Sequence, residues 1–158
     1  MKKCIRTADG PQPVITGPIA VCIPVRNGGS VFRELCESLS RQQGLSFRTL
    51  VMDSASSDES VQVAQAHGFE VVSILPQDFN HGGTRQKGVE LLAEADILVF
   101  LTQDAVLAAE NSLATLVACF ASPDTGLAYG RQLPRRDAGP FGAHARLFNY
   151  PPQSRCKN

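Results

Sequence analysis

The sequence lacks several features that would assign a protein to a functional class at once. It has no excess of either charge, because 15 lysines and arginines balance 15 aspartates and glutamates. This balance argues against binding of nucleic acid by electrostatic attraction. No apolar run approaches the roughly 20 residues that a membrane-spanning helix needs. The basic start is followed by Thr-Ala-Asp-Gly-Pro rather than by an apolar stretch, so we expect no signal peptide.

Cysteine motifs are also absent. The five cysteines form no Cys-x-x-Cys pair and have no spacing typical of metal ligands; they are Cys4, Cys22, Cys36, Cys119 and Cys156. Their odd number and their places in apolar stretches predict reduced, mostly buried thiols and a cytoplasmic location.

Three common fingerprints are missing from the sequence. It has no Gly-x-x-x-x-Gly-Lys-Ser/Thr phosphate loop, no Gly-x-Gly-x-x-Gly after the first predicted strand, and no serine nucleophile elbow. Their absence disfavours kinases, dehydrogenases and esterases. With 158 residues, of which 43% are hydrophobic, the chain is still expected to form a globular domain with its own core.

The most informative stretch that is present is Asp96-Ile-Leu-Val-Phe-Leu-Thr-Gln-Asp104. A short apolar run that is rich in β-branched and aromatic residues predicts a strand buried on both faces. Such a strand ends at the rim of a parallel sheet. Asp104 is then either a carboxylate presented at a ligand site or a cap of the following segment, and this stretch alone leaves both open.

The rest of the chain alternates strand and helix patterns. Strands are predicted over 18–25, 46–52 and 69–75 before the stretch just described, with helices over 31–43, 58–67 and 84–95 between them. A helix over 111–120 and a strand over 126–133 follow, and no periodic pattern continues past Pro134. Ser30 is the predicted N-cap of the first helix, and Asp58 or Ser57 that of the second. This alternation predicts an α/β fold with a mostly parallel sheet flanked by helices.

Polar residues follow the predicted strand ends, and in a parallel sheet these ends meet at one edge, where ligands bind. They are Arg26-Asn27, Asp53, Gln77-Asp78 and Gln103-Asp104. Together they suggest a site for a polyanion, a bound cation and a polar ring. Asp104 is the best metal-ligand candidate, because hard divalent cations prefer carboxylate oxygens and bridge them to phosphates.

Several of these residues also have a purely structural interpretation. Asp53 could accept hydrogen bonds from a base or a ribose, or could form an Asx turn or a helix cap. Arg85 could contact a phosphate or a base, or could be a solvated helix residue. His81 could contact phosphate or have no role in binding. Asp58 we interpret mainly as a helix cap.

In this order and spacing, the motifs resemble the inverting glycosyltransferases of family 2, which have the GT-A fold. The resemblance is greatest to the bacterial rhamnosyltransferases of surface-polysaccharide synthesis, such as that of O-antigen, and runs from about Ile19 to Pro151. It rests on six segments: Val21-Cys-Ile-Pro-Val-Arg-Asn-Gly28, Val51-Met-Asp-Ser-Ala-Ser-Ser-Asp58, Phe79-Asn-His-Gly-Gly-Thr-Arg-Gln-Lys-Gly88, Phe100-Leu-Thr-Gln-Asp-Ala105, Tyr129-Gly-Arg-Gln-Leu-Pro134 and Ala143-His-Ala-Arg-Leu-Phe-Asn-Tyr-Pro151.

The resemblance implies that a sugar nucleotide, expected to be dTDP-rhamnose, binds along the strand ends. By this match Pro24, Val25 and Asn27 line the nucleoside pocket, Asp53 holds the base, and Arg85 contacts the base or a phosphate.

The resemblance also implies a divalent metal, Mg²⁺ or Mn²⁺. Asp104 takes the place of the last carboxylate of an Asp-x-Asp motif and is the implied metal ligand. Thr102 and Gln103 stand where that motif usually has carboxylates, and Gln103 is an implied contact of the nucleotide sugar.

From the same resemblance we expect three regions: a flexible lead-in over 1–17, a nucleotide-sugar-binding domain over 18–134, and an incomplete start of the acceptor side over 135–158. The general base that deprotonates the acceptor hydroxyl is expected beyond the last residue. The expected acceptor is a glycan or a lipid-linked sugar, with peripheral association at the inner face of the membrane. An uncovered apolar surface would favour self-association.

Two other functions are considered. The first is a module of the same fold that holds a nucleotide sugar without transferring it, and the lack of a general base favours it for this chain. The second is a nucleotidyltransferase, which would want a glycine-rich, lysine-bearing loop after the first strand. The segment Arg26-Asn-Gly-Gly29 supplies too little of such a loop.

Overall fold

The computed structural model of the protein describes residues 17–135 and 137–153. They divide after Ala118 into two compact units, here called the N-terminal unit and the C-terminal unit. The predicted domain boundary at 134 and 135 stays a prediction. Within the described ranges, no helix has the length and apolarity needed to cross a membrane.

The N-terminal unit is built on a four-stranded parallel sheet. Its strands are β1 (Ile19–Val25), β2 (Arg48–Asp53), β3 (Glu70–Ser73) and β4 (Ile97–Phe100), in the spatial order β3-β2-β1-β4. In the register, Val25 lies opposite Asp53, and Asp53 lies opposite Ser73. The ends of these three strands are therefore level, and polar residues that follow them meet at one edge.

Helices connect the strands as the alternation predicts. They are α1 (Gly29–Ser40), α2 (Ser60–Ala66), α3 (His81–Leu91) and α4 (Ser112–Val117), with 3₁₀ turns at Pro76–Asp78 and Ala118–Ala121. The C-terminal unit contains α5 (Pro140–Asn149). This arrangement confirms the predicted α/β fold with a mostly parallel sheet flanked by helices.

The core lies on both faces of the two central strands. One cluster of buried residues joins them to the chain around α3 and consists of Ala20, Cys22, Leu50, Met52, Ile74 and Leu92. Val21, Ile23 and Val51, which alternate with these residues along the strands, are also buried. Burial of each large aliphatic side chain contributes about 1.5–3 kcal/mol relative to exposure. This two-sided burial explains why β1 and the middle of β2, 50–52, are apolar in the sequence.

Helix α3 packs closely on the sheet because of one glycine. A Cβ atom placed on Gly88 would lie 2.6 Å from the Sγ atom of Cys22 in β1. Cys22 is completely buried and has little room to move. Gly88 therefore sets the distance between α3 and β1.

The helix starts differ from the predictions for physical reasons. Ser30 is not the N-cap of α1, because the helix begins at Gly29, two residues earlier than predicted, with Gly28 as its N-cap. Helix α3 begins at His81 rather than Thr84, because the Asn80 Oδ1 atom accepts a hydrogen bond from Gly83 N at 2.6 Å and caps the helix. This cap allows a helix to start through two glycines that otherwise favour a loop.

Two predictions for the C-terminal unit are wrong. The segment 126–133 forms no strand, and its Leu127 side chain is 83% exposed. Apolar residues there alternate with small or polar ones, but a strand also needs a hydrogen-bonded neighbour. Past Pro134, where no periodic pattern was recognised, the chain forms α5. Pro140 stands at its first turn, a position that proline tolerates in a helix.

Candidate functional site

The candidate site lies at the carboxyl edge of the sheet, and backbone pairing continues up to it. Ser54 N donates to Val25 O at 2.9 Å, and Ile74 N donates to Asp53 O at 2.7 Å. Asp53 is thus held on both sides by the neighbouring strands. Its position is as fixed as that of a residue within the sheet.

The Asp53 side chain has one occupied and one unpartnered oxygen. The residue is only 4% exposed, and Oδ2 accepts a hydrogen bond from Ser56 N at 3.2 Å. This contact agrees with the Asx-turn interpretation. Oδ1 is buried and has no hydrogen-bond partner in the part of the chain that the structure describes. An unsatisfied buried acceptor costs about 1–3 kcal/mol. A ligand that donates an N–H to Oδ1 removes this cost and therefore binds more tightly.

Asn27 joins the loop after β1 to the loop after β2. Its backbone has a φ of +48°, a left-handed conformation that asparagine adopts more readily than most residues. Its N–H donates to Ser56 Oγ at 2.9 Å, and its Oδ1 accepts from Ser57 N at 2.7 Å. Since Ser56 also holds Asp53, Asn27 stabilises the loop that orients the carboxylate.

Asp58 links the starts of two helices. Its Oδ2 accepts from Gly29 N at 2.9 Å, at the start of α1, and its Oδ1 accepts from Ser60 N at 3.0 Å, at the start of α2. The hydrogen bond from the Ser60 side chain contributes most to lowering the pKa of the Asp58 carboxyl, burial opposes it, and the backbone N–H groups of Ser60 and Gly29 add to it. The N-cap position of α2 is Glu59, which makes no side-chain cap hydrogen bond, so the predicted N-cap at Asp58 or Ser57 is not the observed one. Asp58 nevertheless accepts from the first N–H of α2 and from that of α1.

The loops after β1 and β4 are also linked. Arg26 N donates to the Oε1 atom of Gln103 at 2.9 Å. Asp104 follows directly and is exposed, with no side-chain hydrogen bond or ion pair among residues 17–135 and 137–153. Gln103 therefore ties its loop to the central strand, while the carboxylate of Asp104 stays open to solvent.

Helix α3 brings Arg85 towards β1. The Arg85 Nη1 atom donates to His81 O at 3.0 Å, and Arg85 is partly buried. Burial raises the pKa of the Cys22 thiol to about 11, and the positive charge of Arg85 acts in the opposite direction. The guanidinium is thus close enough to the middle of β1 for its charge to be felt there.

The remaining predicted residues differ in what they can offer a ligand. Val25 is buried and Pro24 partly buried, whereas Gln77 and Asp78 lie in an exposed 3₁₀ turn. No hydrogen bond within the described ranges joins the side chains of that turn to the other strand ends. The roles in nucleotide binding assigned to Pro24, Val25, Asn27, Asp53, Arg85 and Gln103 stay predictions.

Sequence reasoning missed two buried hydroxyls. Ser54 directly follows Asp53, and Thr84 lies in the first turn of α3. Both Oγ atoms are buried without a partner in the described part of the chain. The only signal in the sequence is their position beside the predicted site residues, since serine and threonine are common in loops and helix starts.

The fit to a metal depends on Asp104. Among the described residues, no group of three histidine, cysteine, aspartate or glutamate side chains could hold a metal ion. Mg²⁺ and Mn²⁺ fit this situation, because such ions are commonly held by one or two carboxylates together with phosphate oxygens and water. An exposed, unpaired carboxylate at the ligand edge suits that arrangement.

Solved structures share the fold of this chain. A mannosyltransferase from Pyrobaculum calidifontis, solved with GDP-Man and Mn²⁺, aligns with a TM-score of 0.64 over 78% of this chain and 38% of its own, at 19% identity. Glucosyl-3-phosphoglycerate synthase from Mycobacterium tuberculosis, solved with Mn²⁺, UDP and glucosyl-3-phosphoglycerate, aligns with a TM-score of 0.55 over 68% of this chain and 40% of its own, at 25% identity.

Sequence comparisons identify relatives and a family. The O-antigen chain rhamnosyltransferase RfbN of Salmonella typhimurium is 39% identical over 141 residues, which are 89% of this chain and 45% of that protein. The rhamnosyltransferase WbaN of Salmonella anatum is 34% identical over 86% of this chain and 44% of its own length. The chain thus spans less than half the length of both. The profile described as Glycosyl transferase family 2 matches residues 20–158, so the chain belongs to glycosyl transferase family 2.

Proposed function

We propose that this protein binds dTDP-rhamnose at the carboxyl edge of its sheet and transfers the rhamnose, with inversion, to a glycan or lipid-linked acceptor. The main support for the donor site is the Oδ1 atom of Asp53 at the end of β2, which is buried and has no hydrogen-bond partner among the residues that the structure describes. The choice of rhamnose is supported by the 39% identity to an O-antigen chain rhamnosyltransferase.

The base of the nucleotide is proposed to meet Asp53. A carboxylate accepts hydrogen bonds and donates none, so it selects a ring edge that carries an N–H group. Thymine and uracil have such a group at N3. Pro24 and Val25 would contact the nucleoside, and the Asn27–Ser57 link would keep the loop beside the base in place.

The diphosphate is proposed to lie nearer to β4 and α3. Asp104 would hold Mg²⁺ or Mn²⁺, which neutralises the negative charge that develops on the departing diphosphate. Arg85 would contribute a positive charge fixed by its hydrogen bond to His81 O. Gln103 keeps the Asp104 loop at the end of β1.

Transfer itself requires an acceptor hydroxyl on the face of the sugar opposite the diphosphate. Attack from that side forms the new glycosidic bond as the bond to the diphosphate breaks, the hydroxyl proton passes to a general base, and the configuration at the anomeric carbon inverts. The buried thiols Cys22 and Cys36 support a cytoplasmic location. A lipid-linked acceptor would bring the protein to the inner face of the membrane.

Calorimetric titration tests the proposal. We expect dTDP-rhamnose to bind more tightly with Mn²⁺ than without it, and more tightly than UDP-glucose under the same conditions. Equal binding of both donors would remove the assignment of rhamnose. Failure of dTDP, dTDP-rhamnose and UDP-glucose to bind, with or without Mn²⁺, would contradict the donor site.

A further inference from the structure

A cleft lies within the C-terminal unit, and none of its lining residues is among those proposed to bind the donor. It has a volume of about 470 Å³ and is lined by Tyr129, Gly130, Gln132, Asn149 and Tyr150. The cleft is open to solvent rather than enclosed. The lining residues come from the extended segment before α5 and from the end of α5.

Two tyrosines form adjoining walls of this cleft. The ring centroids of Tyr129 and Tyr150 are 6.5 Å apart, and the ring planes meet at 71°. Arg131 Nε donates to Tyr150 O at 2.8 Å, which joins the two segments that carry the rings. Tyr129 is nevertheless 70% exposed. A large aromatic surface is thus held in place and left available to a ligand.

The other side chains of the cleft provide neutral hydrogen-bonding groups. Gln132 and Asn149 are exposed amides, and the Asn149 Nδ2 atom donates to Ala145 O at 2.9 Å. This bond orients the Asn149 amide and leaves its Oδ1 as an acceptor. None of the five lining residues carries a charge, and the adjoining Arg131 donates its Nε hydrogen to Tyr150 O.

We propose that this cleft binds a neutral sugar ring. A pyranose has an apolar C–H face that stacks on an aromatic ring and hydroxyl groups that both donate to and accept from amides. The cleft offers an aromatic face, an aromatic edge and two amides. The assignment of this sugar to the acceptor rests on the proposed function. The binding of a sugar ring in the cleft does not depend on that function.

The test is titration of the whole 158-residue chain, labelled with ¹⁵N, with methyl glycosides of glucose, galactose, mannose and rhamnose. Glycerol serves as a polyol that lacks a ring. At least one glycoside should shift the amide signals of Gly130 and Tyr150 in a saturable way, while glycerol should not. A separate titration with dTDP reports on the amides of Asp53 and Asn27.

Two variants distinguish stacking from a general surface effect. Tyr129→Ala should weaken the binding of the glycoside about tenfold, the loss expected when one stacking surface is removed. Phe141→Ala removes an aromatic ring of the same unit that is 91% exposed and does not line the cleft. It should leave the affinity unchanged.

The possible failures are separable. If no glycoside produces shifts beyond those of glycerol, the sugar site is wrong, whatever dTDP does at Asp53. If dTDP rather than a glycoside shifts the amide signals of Gly130 and Tyr150 in a saturable way, the tyrosines stack on a nucleotide base. The assignment of the cleft to a sugar is then also wrong. If a glycoside binds as predicted but dTDP leaves Asp53 and Asn27 unmoved, the cleft is supported and the proposed donor site fails.

Discussion

The contact between Gly88 and Cys22 makes a sharp prediction about stability. In Gly88→Ala the new methyl group would stand 2.6 Å from the Cys22 Sγ atom, too close for two such atoms. Overpacking a well-packed core costs about 1–3 kcal/mol. Alanine in a helix interior is favoured over glycine by about 1 kcal/mol. We therefore expect a net loss of about 0–2 kcal/mol in the free energy of unfolding.

The same helix contains a matched control. A Cβ on Gly82 would meet only the Asn80 Oδ1 atom, at an ordinary distance of 3.8 Å. Gly82→Ala should therefore stabilise the protein by up to about 1 kcal/mol. The two alanine variants should differ by about 1–3 kcal/mol, although the chemical change is identical.

A double-mutant cycle identifies the atom responsible. Cys22→Ala removes the sulfur that the new methyl group would strike. In that background Gly88→Ala should lower the free energy of unfolding by a smaller amount, with a coupling energy of at least about 0.5 kcal/mol. Urea unfolding followed by far-UV circular dichroism measures these values, since the chain has no tryptophan for fluorescence. If Gly88→Ala stabilises the protein as much as Gly82→Ala, or if the double variant is additive, the close packing of α3 on β1 is refuted.

Three further predictions concern charged and thiol groups. Asp58→Ala, which removes the acceptor for the first N–H groups of α1 and α2, should lower the free energy of unfolding by about 1–2 kcal/mol. Since the folded-state pKa of Asp58 is lowered, the contribution of its carboxylate to the free energy of unfolding is present above the unfolded-state pKa and is lost as the pH falls through the folded-state pKa. A variant as stable as wild type at neutral pH would contradict this role of Asp58. Asp104→Asn should abolish the Mn²⁺ dependence of donor binding measured by calorimetry, and an unchanged dependence would exclude Asp104 as the metal ligand. Burial raises the pKa of both Cys22 and Cys36 to about 11, so peptide mapping after brief alkylation should find exposed Cys119 modified and these two unmodified until urea is added; equal labelling would contradict their burial.

The strand–helix alternation could be predicted because hydrophobic patterning is local. Strand β1 is buried on both faces, so it appears as an apolar run. Helix α1 carries an apolar stripe, because its buried residues include Phe32, Leu35 and Leu39. The start of α3 could not be predicted in the same way. His81-Gly-Gly favours a loop, and the helix begins there because the Asn80 side chain supplies the cap.

The C-terminal unit was harder to predict because its pattern is ambiguous. The segment around Leu127 and Tyr129 alternates in polarity like a strand, yet both side chains are largely exposed. Alternation cannot reveal whether a partner strand exists. Helix α5 has its largest apolar side chains, Phe141 and Phe148, exposed as well, so burial does not mark it as a helix.

The candidate site was predictable as a location but not as a network. The rule that ligands bind beyond the carboxyl ends of parallel strands leads to Asp53 and Asp104. The contacts of Asn27 with Ser56 and Ser57 join residues about 30 positions apart in the chain. Such contacts depend on how two loops meet, which single-sequence patterns do not contain.

The measurement that tests the account most directly compares dTDP with its N3-methyl analogue in calorimetric titrations of the unmodified chain. The analogue keeps the ring, the sugar and the diphosphate but lacks the N–H proposed to donate to Asp53 Oδ1. Leaving a buried acceptor unpaired costs about 1–3 kcal/mol, so the analogue should bind about tenfold or more weakly. Equal affinity for the two nucleotides would show that Asp53 does not hold the base and would contradict the proposed donor site.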